Sequence, residues 1–171
     1  RHDPSSPTEP RGAEAPPGAA TLRFALVRLR APAALLDELE SFYGRLLGLD
    51  VERSDASLEV RFGETLLELV GSEGRPFYHV AALVPGDRGA AAIDWLAERV
   101  PLLPDPETGE RRFSFESWSA RACYVHDPAG TILELISLAG IEERGTRGPF
   151  SPRELVGLSE VGHRGRIERP A

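Results

Sequence analysis

Residues Gly130 to Ser137 read "GTILELIS", and the carboxylate of Glu134 stands in the middle of an apolar run. Side chains alternate along a strand, so Leu133 and Leu135 point one way while Ile132, Glu134 and Ile136 point the other. Both faces are apolar, and an unpaired ionised carboxylate there costs several kcal/mol. Glu134 therefore needs a cation or a proton. A second glutamate, Glu68, stands in the matching run "GETLLELVG" and poses the same question. Two facing buried carboxylates repel unless a positive charge lies between them. Ligation of a divalent ion answers this demand. Pairing of each glutamate with an arginine such as Arg28 or Arg121 answers it equally.

Both glutamates fall in corresponding places of a repeat. "LRFALVRLR" alternates as a strand, with Phe24, Leu26 and Arg28 on one face. "PAALLDELESFYGRLLG" carries apolar residues at helical spacing and ends on Gly48 as a C-cap. Three strands follow, "VERSD", "LEVRFG" and "TLLELVG", with a turn at Gly63 and Glu64 between the last two. The order then recurs: a strand "FYHVAALVP", a helix "GAAAIDWLAERV", and strands "RRFSFES", "ARACYVHDP" and "TILELISL", with a tight turn at Asp127 to Gly130. A unit of about 60 residues cannot cover its own sheet, so the two pair. The expected fold is α+β, two βαβββ modules pairing into a cup-shaped mixed sheet. The modules span 21–74 and 75–138, between a Pro-rich disordered tail at 1–20 and a C-terminal extension at 139–171. That extension is expected to hold a short helix capped by Ser151, and otherwise to be loose.

The repeat resembles the vicinal oxygen chelate superfamily of glyoxalases, extradiol dioxygenases and bleomycin-resistance proteins. "FYGRLLGL" is similar to that family's first-helix signature, "YHVAALVPGD" to the opening strand of its second module, and "HDPAGTILEL" to its closing hairpin. The resemblance covers about Thr21 to Leu138. It implies one metal ligand from the first and last strand of each module, which gives His79, Glu134 and Glu68, with Phe24 in the fourth, non-coordinating position. An imidazole and two carboxylates suit Fe, Mn, Ni, Co or Zn. The resemblance also implies an enzyme of lyase, isomerase or dioxygenase type, acting on a substrate with adjacent oxygens, in which Glu134 or Glu68 moves the proton. The other reading is a metal-free protein that binds a cationic drug, as bleomycin-resistance relatives do.

The remaining candidates are pocket residues. Phe24, Trp118 and Tyr124 offer apolar lining, His126 and Arg121 polar groups, and each has an ordinary packing role as its alternative. Trp95 is expected in the core, and Cys123 as a buried inert thiol. The 171 residues carry a net charge of -7, which argues against a nucleic-acid partner and tolerates a cationic ligand. No apolar run is long enough to cross a membrane, and no secretory core precedes the repeat, so a cytoplasmic protein is expected. Open sheet edges favour a homodimer around a small-molecule substrate.

Overall fold

A computed structural model describes residues 23–163. The Pro-rich tail, with His2, lies outside the described residues. Strand β1 (Leu26–Pro32) leads through a 3₁₀ turn (Ala33–Leu35) into α1 (Leu36–Glu40), then into β2 (Val51–Arg53), β3 (Ser57–Phe62) and β4 (Thr65–Ser72). Next come β5 (Tyr78–Val84), α2 (Gly89–Ala97), β6 (Phe113–Phe115), β7 (Ala120–His126) and β8 (Ile132–Leu138). Among the described residues the strands, with a ninth at Gly157–His163 (β9), form two sheets, ordered β1-β4-β3-β2 and β6-β7-β8-β5-β9. In each half the first and last strands run parallel and the third pairs antiparallel with the last. Such a connection needs a helical crossover, which α1 and α2 supply.

The sheet faces under the helices merge into one core. Val27, Leu58, Val60, Phe62 and Leu67 of the first half join Val80, Ala82, Cys123, Val125, Leu133 and Leu135 of the second. Trp95 is buried as expected. Burial pushes the Cys123 thiol up to about 12, which leaves it protonated and inert.

The first helix departs from the expected single α-helix. After α1 the chain widens into a π-helical turn, Ser41–Leu46, in which the Leu47 N–H reaches back five residues to the Phe42 carbonyl at 3.0 Å. The extra residue per turn rotates Leu46 into solvent, 43% exposed, and brings Phe42, Tyr43 and Leu47 into the core. Gly44 lies within that turn because Val51 approaches: a Cβ there would sit 2.8 Å from Val51 Cγ2. The turn aims Tyr43 across the molecule. Its hydroxyl donates to Asp127 Oδ2 at 2.8 Å, and Asp127 also accepts the N–H groups of Ala129 and Thr131 at the β7–β8 turn.

The C-terminal extension corrects the expectation of a loose segment. Ser151 does cap a turn, but the turn is a three-residue 3₁₀ piece, Pro152–Glu154, closed by a reciprocal Ser151–Glu154 box. Beyond it, Gly157–His163 forms β9, antiparallel to β5. His163 is not loose either: its ring lies 5.4 Å from that of Tyr78. The start of β9 also touches the first half, where Leu158 accepts the Phe24 N–H and Val156 accepts the Glu64 N–H.

Arg88, just before α2, holds this extension down. It is 4% exposed. Its guanidinium binds Glu154 at 2.7 and 3.3 Å and the carbonyls of Gly148 and Pro149 at 2.9 and 3.1 Å. Removing one member of a buried pair leaves the other charge uncompensated, typically at about 3–5 kcal/mol. Arg88→Ala is therefore expected to lose about that much stability in urea unfolding, and a loss below about 1 kcal/mol would show that the strap is not anchored there.

Candidate functional site

The site is built on the face of the second sheet turned away from α2. Register sets its members: Glu134 on β8 lies opposite Tyr124 on β7 and Ala81 on β5, and Ala81 lies opposite Glu160 on β9. His79 is two residues before Ala81 and shares its face. The structure brings His79 and Glu134 together, with Nε2 2.7 Å from Glu134 Oε2. The Tyr124 hydroxyl, on the residue directly across from Glu134, favours the charged form of the same carboxylate. Phe113 closes on Tyr124 edge to face at 5.3 Å, and the His79 ring lies 6.1 Å from it.

The electrostatics follow from burial. The Glu134 side chain is 8% exposed and that of His79 31%. Desolvation pushes the Glu134 carboxyl above its ordinary range, the hydrogen-bonded His79 pulls it back, and the Glu160 carboxylate raises it again. The same surroundings push the Tyr124 hydroxyl up to about 12, burial first and the Glu134 charge second. Tyr124 is thus a donor at every physiological pH.

Glu68 is placed elsewhere. Its partner across β1 and β4 is Arg28, whose Nε reaches Glu68 Oε2 at 2.5 Å. The structure thus answers the charge of Glu68 with an arginine and that of Glu134 with an imidazole and a phenol. Among the described residues no three His, Cys, Asp or Glu side chains are grouped so that they could hold a metal ion. The donor set expected for a divalent ion does not fit one: two of its members are bonded to each other, and the third is committed to a guanidinium.

The fourth slot also moves. His79 pairs with the residue two before Glu134, so its counterpart is the partner of the residue two before Glu68, which is Leu26. Phe24 precedes β1 and packs against the core instead of lining the cup. Leu26 is 52% exposed and cannot coordinate either.

The other pocket candidates separate. Trp118 is not on a strand; it ends a 3₁₀ turn, Glu116–Trp118, 58% exposed, 6.4 Å from the Phe115 ring. Arg121 faces away from Tyr124, because three positions along a strand change sides. His126 shares the Tyr124 face, opposite Ile132, at an exposed position. Only Tyr124 of the five joins His79 and Glu134. Glu160 and Phe113 were not expected. Glu160 was hidden because a register shift between Ala81 and Ala82 puts Leu158 and Glu160 on opposite faces of β9, which plain alternation would place together.

The raised Glu134 carboxyl has a consequence for stability. A carboxyl with a folded-state pKa above its ordinary value binds its proton more tightly in the native state. Its contribution is therefore present at acid pH and declines as pH rises from about 4.5 through the raised value. The slope is at most about 1.4 kcal/mol per pH unit. Glu134→Gln is expected to flatten that part of a stability profile measured by urea unfolding, and an unchanged profile would mean that Glu134 carries no such burden.

No protein-family model matches the chain, and no curated protein matches it. Solved structures do. A glyoxalase/dioxygenase from Nostoc punctiforme superposes with a TM-score of 0.51 at 18% identity, over 74% of this chain and 97% of that one. An integron cassette protein from the mobile metagenome of a sewage outfall gives 0.54 at 19% identity, over 67% and 97%. Oxidase ChaP-H1 gives 0.51 at 22% identity, over 68% and 95%. The resemblance read from the sequence thus holds at the level of architecture, and the chain carries the glyoxalase-like fold of the vicinal oxygen chelate proteins.

Proposed function

We propose that this chain is a metal-independent binding protein that takes a cationic, partly aromatic small molecule on the second sheet's open face. The observation that carries the reading is the pairing of charges: Glu68 is neutralised within the chain by Arg28, and Glu134 is paired with His79. Neither carboxylate needs an ion to be accommodated. Glu160 is exposed and lies on the same face as Glu134, so the face presents negative charge beside the rings of Tyr124 and Phe113. Carboxylates next to aromatic faces attract a cation through both charge and ring quadrupole. The net charge of -7 adds a favourable long-range field.

The same reading includes a homodimer. The first sheet ends on β1 and β2 and the second on β6 and β9, and Leu26 with Arg28 leaves the first sheet's face exposed. Light scattering on the eluting protein is expected to give twice the chain mass, and a monomer at micromolar concentration would remove this part.

Metal-free bleomycin serves as the cationic probe. Titration is expected to give a saturable rise in melting temperature that survives a chelator and falls at least tenfold in affinity in Glu134→Gln combined with Glu160→Gln. Stoichiometric Fe, Mn, Ni, Co or Zn in protein purified without chelator, lost in His79→Ala, would overturn the reading in favour of a metal enzyme. No shift with the probe would overturn it as well.

A further inference from the structure

The end of β9 governs what can reach the carboxylate-bearing face. The strand closes at His163, whose ring lies 5.4 Å from that of Tyr78, and the residue before it, Gly162, pairs with His79. The chain thus leaves the sheet one residue from the partner of the imidazole that holds Glu134. Gly162 puts no side chain over that margin, and a Cβ there would only touch the His79 Cβ and carbonyl at 3.8 Å. On the same strand the register shift between Ala81 and Ala82 turns Glu160 onto the face. Its carboxylate is felt by both Glu134 and Tyr124, so the two acids share one electrostatic field.

Beyond the described residues the sequence reads "RGRIERPA", residues 164–171, with three arginines against one glutamate. The other end of the chain has the opposite balance: residues 1–22 hold two arginines against Asp3, Glu9 and Glu14. Charge complementarity therefore selects the C-terminal segment as the occupant of an acidic face. Its length suffices. Eight extended residues reach about 26 Å, and the steps from β9 across β5, β8 and β7 to β6 span about 19 Å. The face also suits the segment chemically. Ile132 and Ile136, half-buried, flank Glu134 on β8 and match Ile167, while Tyr124 and Phe113, also half-buried, offer ring faces to guanidinium groups.

We propose that the segment Arg164 to Ala171 lies across the open face of the second sheet of its own chain, its arginines beside Glu160 and Glu134 and Ile167 against Ile132 and Ile136. Exposed ion pairs of this kind are individually weak. The tether offsets that weakness, because so short a linkage presents the segment to the face at roughly millimolar effective concentration. A cationic ligand then has to displace the segment, so its apparent affinity falls in proportion to the uncovered fraction of the face. This competition rests on the reading of the face as a cation site, whereas the docking itself does not.

Trypsin tests the docking on the full chain, since it cuts after arginine and a docked guanidinium cannot enter its pocket. Cleavage after Arg164 and Arg166, followed by intact mass and scaled to a free RGRIERPA peptide, is expected to run at least tenfold faster in Glu134→Gln combined with Glu160→Gln than in the wild type. Wild-type protein in about 0.5 M salt, where surface charges are screened, is expected to match that variant without any change of sequence. Equal rates in all three overturn the inference. Protection that disappears on dilution overturns it too, by assigning the segment to the face of a second copy. A second variant, Arg164→Gln with Arg166→Gln and Arg169→Gln, leaves the face intact. It is expected to bind metal-free bleomycin at least tenfold more tightly than the wild type, because the uncovered fraction governs both measurements. Bleomycin bound equally well by both proteins overturns the docking. Bleomycin bound by neither, with the trypsin rates as expected, overturns the cation-site reading and supports the docking.

Discussion

A carboxylate buried between branched apolar side chains must be compensated, and that requirement organises the second half of the molecule. Glu134 sits on a central strand with neighbours on both sides, so compensation has to come from flanking strands at matched register. His79 on β5 and Tyr124 on β7 provide it. Parallel pairing of β5 with β8 and antiparallel pairing of β7 with β8 fix which side chains can meet. A slip of one residue in either pairing would turn every partner to the other face. The hydrogen-bonded group therefore makes the register of the sheet specific as well as accommodating the charge.

The first half repeats the skeleton and solves the same problem differently. Arg28 occupies the place that Ala81 holds in the second half, directly across from the glutamate. A guanidinium adjacent to a carboxylate removes any need for a third group, and the position of His79 can fall to Leu26. Tyr124 likewise has Glu59 as its counterpart opposite Glu68. The two faces thus share geometry and differ in chemistry: one is a salt-bridged surface, and the other an imidazole, a phenol and a carboxylate under aromatic cover.

The repeat, the two glutamates and the turn glycines were legible because each depends on local pattern: alternation, helical spacing and turn chemistry. The family resemblance named His79 and Glu134 as ligands of one metal ion, not as partners of each other. Other features depend on contacts that no window of sequence contains. The π-helical turn arises where Val51 presses on Gly44 and Tyr43 must reach Asp127. The shift from Phe24 to Leu26 is a matter of cross-strand register. Strand β9 escaped notice because its glycines read as a loose tail, whereas Gly157 lies where Thr65 approaches closely. The bulge beside Ser159 erased the alternation that would have marked Glu160.

That added strand protects the sheet that carries His79 and Glu134. Without β9, the edge of β5 would be open, and the backbone carrying His79 would lie at a sheet margin, where strands fray and recruit partners. With β9 in place, β5 becomes an interior strand. The extension that delivers β9 is itself clamped by Arg88 beside the start of α2. The residues that anchor the strap thus also set where α2 begins, and so where Gly89 meets Ser137.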